Sequence, residues 1–75
     1  MRFIEMTGKT LFEIIENDGF TEDDLRAAGV GEQTIVRVNQ QGDLEVRRSH
    51  GWDVIGGLLG NYELRIRKRT GLDWS

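Results

Sequence analysis

Apolar residues along the chain change their spacing several times, and each change predicts an element. Leu11, Phe12, Ile14 and Ile15 gather on one side of a helix, and Thr10 with Glu13 fits a capping box at its start. Gly19 followed by Phe20 suits a left-handed stop, so the spacing predicts a short helix over 11–18. The same grammar returns at once. Thr21 reads as an N-cap, Glu22, Asp23 and Asp24 put negative charge on the helix's positive end, and Phe20 with Leu25 forms a hydrophobic staple. Gly29 and Val30 then give a second stop, with Val30 falling back toward Leu25. Helices this short need a sheet or another helix beneath them.

The period next shifts from helical to alternating. Ile35 to Val38 and Leu44 to Arg47 are β-rich runs on either side of Asn39-Gln40-Gln41-Gly42-Asp43. Gly42 at a left-handed position fits a three-residue hairpin loop with a bulge. Closing Asn39 on Asp43 sets Val38 against Leu44 and Val36 against Val46 on one face, and Arg37 against Glu45 on the other. A further strand at Arg2 to Met6 can add a third edge. From Trp52 onward, Trp52, Ile55, Leu58, Leu59, Tyr62 and Ile66 fall in one helical stripe. This favours a long helix from about Asp53, bent near Gly60-Asn61 and stopped at Gly71-Leu72. The alternation of Tyr62, Leu64 and Ile66 with Glu63, Arg65 and Arg67 leaves a strand open for that stretch.

Composition limits what such a chain can be. Its 75 residues and 8.6 kDa allow one small domain, taken as 1–75. The absence of cysteine removes disulfides, thiolate metal sites and a cysteine nucleophile. No cofactor is expected. The longest uncharged run, Val54 to Tyr62, is too short to span a bilayer, and the first residues lack a secretory pattern, so a cytoplasmic location is expected. The net charge of −3 hides an asymmetry. Residues 1–33 carry three basic side chains against eight acidic ones, and residues 34–75 carry seven against five. Such a split suits an acidic and a basic face, or head-to-tail association.

Several short patterns invite a chemical reading. Thr7-Gly8-Lys9-Thr10 looks like the tail of a phosphate loop, but Phe3 stands where the motif needs its first glycine. A tight turn into a capped helix explains those residues as well. Gly56 and Gly60 have the spacing of a close helix–helix contact. His50 is the one histidine, and only Asp53 lies near it at a useful spacing, so neither a metal site nor a Ser–His–Asp arrangement can be built there. With no convergent polar groups and a thin core, catalysis and a small-molecule substrate are not expected.

The basic residues carry more information. Arg47, Arg48, Arg65, Arg67, Lys68 and Arg69 would share one positive surface if the last helix packed beside the hairpin. Trp52 and Tyr62 lie among them, and Trp74 sits in a charged tail with no evident internal partner. Arginine outnumbers lysine, which suits bidentate recognition of carboxylate or phosphate. The plainer account is that helix-end arginines serve the dipole and the aromatic residues serve the core.

Two local resemblances touch this region, each over less than half of the chain. Asp24-Leu25-Arg26-Ala27-Ala28-Gly29-Val30 with Gln33-Thr34-Ile35-Val36-Arg37-Val38 resembles the helix-turn-helix of lac-repressor-type proteins, which implies a recognition helix in its second part. Thr21 to Arg48 resembles AbrB-type swapped-hairpin regulators and antitoxins, through Leu25, Gly29, Val36, Val38, Gly42, Asp43 and Leu44. The helix at 11–18 and the acidic Glu22, Asp23 and Asp24 depart from that family's DNA-contacting pattern.

The expected fold is α+β: strand, helix, helix, β-hairpin and a long C-terminal helix on a small antiparallel sheet. The expected function is a non-catalytic protein-interaction or regulatory module, a small adaptor or inhibitor. Its contact residues would be Arg47, Arg48, Trp52, Arg65, Arg67, Lys68, Arg69 and Trp74. The partner would be another protein or a second copy. The alternative is a small DNA-binding regulator or antitoxin using the same arginines.

Overall fold

The computed structural model of the chain describes residues 3–15, 21–57 and 62–72. Its elements run β1 (Phe3–Thr7), α1 (Gly8–Ile14), α2 (Glu22–Ala27), β2 (Ile35–Asn39), β3 (Asp43–Arg48), β4 (Gly51–Gly57) and α3 (Tyr62–Thr70). The four strands form one antiparallel sheet in the order β1-β2-β3-β4. With three helices against one face, the chain is a small α+β domain, as the sequence predicts.

The hairpin is the part that local chemistry specifies most tightly. Val36 pairs with Val46, Arg37 with Glu45 and Val38 with Leu44, the expected register. Gly42 takes a φ of 88° in the loop. Asn39 locks the turn: its side-chain carbonyl accepts from Gln41 N at 2.9 Å and Asp43 N at 3.0 Å, and its Nδ2 donates to Asp43. β1 then pairs with β2 along its whole length, setting Ile4 beside Val38 and Met6 beside Val36. The inner face of the sheet is therefore Ile4, Met6, Val36, Val38, Leu44 and Val46, all buried. Leu11, Ile14, Leu25, Val30 and Ile66 close over it from the helical layer.

The second helix follows its punctuation closely. Thr21 and Asp24 form a reciprocal capping box, with Asp24 N donating to Thr21 Oγ1 at 3.2 Å and Thr21 N donating to Asp24 Oδ2 at 3.0 Å. At the other end Gly29 has a φ of 89°, and Val30 N donates to Leu25 O at 2.9 Å while Gly29 N donates to Arg26 O at 3.0 Å. These are the two bonds of a Schellman stop. Gly71 stops α3 with a φ of 73° and a bond to Arg67 O at 2.9 Å, but Leu72 N turns to Thr70 Oγ1 and the Leu72 side chain is left out of the core.

Three expectations need correction. The first helix starts at Gly8 rather than Leu11, and its N-cap is Thr7, whose Oγ1 accepts from Thr10 N at 3.3 Å. The capping box at Thr10 is displaced because Gly8 N and Lys9 N find Thr34 O at 2.7 Å and Glu32 O at 3.0 Å, so the helix starts earlier. It also ends early, since Ile15 is already extended. The expected stop at Gly19-Phe20 and the Phe20 staple lie outside the described residues.

The largest difference concerns the long C-terminal helix. Residues 53–57, expected as its beginning, belong to strand β4, and the helix is confined to Tyr62–Thr70. Gly56 and Gly57 weaken a helix by about 1 kcal/mol each, and β3 offers β4 a full row of backbone partners instead. Leu44 pairs with Gly56 and Glu45 with Val54, so Ile55 is the extra residue of a β-bulge. From Trp52 to Ile55 the helical stripe is a coincidence of spacing, and its continuation at Leu58 and Leu59 lies outside the described residues. The glycine pair ends a strand, so no helix–helix contact of the Gly56 type is built; Gly60 lies outside the described residues.

One close approach fastens the helical layer to the rest. A Cβ placed on Gly8 would fall 1.9 Å from Gly31 O, a backbone atom. Gly8→Ala should therefore lower stability by about 3 kcal/mol, because the clash cannot be relieved by a side-chain rotation. Gly31→Ala, with only Thr34 Oγ1 at 3.7 Å, should cost far less, and urea titration of the two variants measures the difference.

Candidate functional site

The predicted basic residues fall into three groups. Neighbouring residues of a strand point to opposite faces, so Arg47 and Arg48 part company at the end of β3. Arg48 turns toward the helical layer. Its Nη2 donates to Ala28 O, the carboxyl end of α2, at 2.8 Å, and its Nε donates to Asp53 at 3.2 Å. His50 bonds the other oxygen of Asp53 at 3.2 Å. The His50 hydrogen bond, with Arg48 adding to it, holds the Asp53 carboxyl below its ordinary value. This cluster ties the β3–β4 turn to the second helix.

Arg47 lies on the other face, exposed and paired in the ladder with Trp52. No described helix covers that face, yet its centre is filled. The Arg37 guanidinium carbon lies 3.7 Å from the Phe3 ring centre and 4.1 Å from that of Trp52. Two rings so near one planar group take its opposite sides, so Arg37 is clamped between the two edge strands. Its Nη2 also donates to Glu45 Oε1 at 2.9 Å, and Glu45 is buried. Trp52 thus has a structural task that its place among the arginines did not reveal.

The third group lies on α3. Ile66 is the helix's one buried residue among those described, and it joins the core below the sheet. Arg65 Nε donates to Ile14 O, at the carboxyl end of α1, at 2.9 Å. Arg69 pairs with Glu13 of α1, and Arg67 lies 3.9 Å from Glu63 one turn back. Lys68 is exposed, with no ion-pair partner among the described residues. Glu13, Ile14, Arg65, Lys68 and Arg69 surround a cavity of about 300 Å³ between α1 and α3. Three of the predicted contact residues therefore line one cleft, with Glu13 the acidic residue of its lining among the described residues.

The single positive surface does not form. The sheet separates Arg47 and Trp52 from α3, because β4 occupies the place that a longer helix would have taken beside the hairpin. Trp74 lies outside the described residues. Two residues absent from the expected set are exposed apolar ones, Leu64 on α3 at 65% and Leu72 just past its end at 50%. Leu64 was detectable in the sequence as an apolar residue off the stripe that carries Ile66.

The phosphate-loop reading of Thr7 to Thr10 finds its backbone donors engaged. Gly8 N, Lys9 N and Thr10 N are bonded to Thr34 O, Glu32 O and Thr7 Oγ1. Among the described residues no group of three or more His, Cys, Asp or Glu side chains is placed to hold a metal ion. No described helix is long and apolar enough to cross a membrane. No family model, curated protein or solved structure matches the chain. The helix, glycine turn and hairpin that resemble the AbrB type occur in that order, whereas Ile35 to Val38 is a strand where the lac-repressor type has a helix.

Two outcomes test these assignments. Arg37→Ala should cost roughly 3 kcal/mol, since it uncovers a buried carboxylate and removes two cation–ring contacts together. Replacing Asp53 by Asn should lower the Tm above about pH 5, with the difference closing below roughly pH 4. The sign follows from a depressed folded-state value: the stabilisation exists above the unfolded value and is lost as pH falls through the folded one. Thermal melts of both proteins across pH 3–7, roughly the carboxylate titration range, check this.

Proposed function

We propose that the chain is a non-catalytic protein-interaction module, an adaptor or inhibitor, that docks its partner at the cleft between α1 and α3. The observation that carries this reading is the coincidence of two features there. Leu64 exposes apolar surface on α3 four positions, about one helical turn, before the exposed Lys68, which lines the cleft. An exposed aliphatic residue beside an exposed cation can serve a small docking surface. Arg65 and Arg69 are already oriented by α1, so little side-chain freedom is lost when a partner arrives.

A second reading, a DNA-binding regulator, draws on Arg47 beside Trp52 on the uncovered sheet face. Its support is weaker. Arg47 and the arginines of α3 lie on opposite sides of the sheet, and Glu5 and Asp43 share the face with Arg47.

A photo-crosslinking residue introduced at position 64 should trap one discrete partner in cells, and Lys68→Glu should abolish the adduct. The same residue at position 54, on the sheet face, should not trap that partner. Absence of any adduct at 64, together with a salt-dependent gel shift lost in Arg47→Glu, would transfer the function to nucleic acid.

A further inference from the structure

We infer that the free edge of β4 pairs with the same edge of a second copy, joining the two four-stranded sheets into one. This goes beyond the cleft reading, since no residue of that edge lines the cleft. β4 ends the sheet, with β3 as its one strand neighbour among the described residues. Arg48 and Gly51 close a two-residue turn, so they exchange backbone hydrogen bonds, and by alternation so do Val46 and Asp53. Trp52 and Val54 therefore turn their N–H and C=O groups away from β3, where they have no hydrogen-bond partner among the described residues. Natural sheets commonly blunt such an edge with charge. β1, the other edge, carries exposed Glu5 on the uncovered face, whereas β4 shows Trp52 and a 65% exposed Val54 there.

The strand's own sequence selects a second copy. Opposed residues of an antiparallel pair share a face, so a two-fold axis must set one residue opposite itself. An axis at Val54 would bring Trp52 to Gly56, but the bulge at Ile55 turns the Gly56 backbone toward β3. An axis at Trp52 would set Val54 against His50, which belongs to the turn and not to the strand. An axis at Asp53 sets Trp52 opposite Val54 on both sides, uses every outward backbone group of those two residues and covers both valines. Each Asp53 at the axis is already bonded to Arg48 and His50 of its own copy, so two guanidiniums accompany the two carboxylates. Self-complementarity of this kind is what an isologous interface requires.

Sedimentation equilibrium of the full chain from about 1 μM to about 1 mM should show a monomer passing reversibly to a dimer. Val54→Lys, at an exposed position, should weaken the dimer about tenfold or more while the monomer still melts cooperatively. Lys68→Glu, on the cleft, should leave the dimer unchanged. The chain has no cysteine, so single cysteines report the register. Under mild oxidation Asp53→Cys should form a disulfide dimer, because residues opposed at the axis come within disulfide reach, and Glu5→Cys on the other edge should not. If Asp53→Cys fails to fold, the sedimentation of Val54→Lys decides without it. A monomer throughout the concentration range would overturn the inference. So would a dimer that tolerates Val54→Lys, a dimer lost in Lys68→Glu, or crosslinking at position 5 as fast as at position 53.

Discussion

Helices of six and seven residues do not persist on their own, and the whole helical layer depends on how their ends are closed. In this chain the carboxyl ends of the first two helices are each closed by an arginine from a distant element. Arg65 reaches Ile14 O, and Arg48 reaches Ala28 O. A guanidinium at that position satisfies a carbonyl left over by the helix and sets positive charge against the negative end of its dipole. Both arginines also rest on elements pinned to the core, Arg48 on β3 and Arg65 beside Ile66. The helices are thereby held from their ends as well as from their buried faces.

This use of arginine recasts the composition. A surplus of arginine over lysine reads in the sequence as a recognition surface. In the structure much of it is spent internally: Arg26 bonds Glu22 and covers Phe12, Arg37 joins Phe3, Trp52 and Glu45, Arg48 and Arg65 close helices, and Arg69 meets Glu13. The planar fork suits such multiple contacts better than an ammonium does. Lys68, by contrast, carries its charge outward. The surface charge available to a partner is smaller and more localised than a residue count implies.

What could be read from the sequence was what neighbouring residues decide. The hairpin register, the Thr21 cap and the Gly29-Val30 stop all came from residues within a few positions of one another, and each is observed. The errors share a different origin. The start of α1 moved because loop carbonyls from Glu32 and Thr34 bond its first amides, and β4 replaced a helix because β3 had a free edge. In both cases a remote backbone outweighed a local propensity. The candidate site shows the same division. Arg65, Lys68 and Arg69 were identified from their crowding at a helix end, but Glu13 and Ile14 enter the cleft only through packing of α1 on α3.

The arginine closures also tie distant parts of the chain to one another. Ile14 waits for a residue 51 positions later and Ala28 for one 20 positions later. Contacts so far apart form only after the intervening chain has been brought together, and loop-closure entropy delays them. The β2–β3 hairpin, with its contacts a few residues apart, has no such delay. The helices of the acidic first half are thus fastened by residues of the basic second half, and their ends stay closed only while the two halves remain packed together.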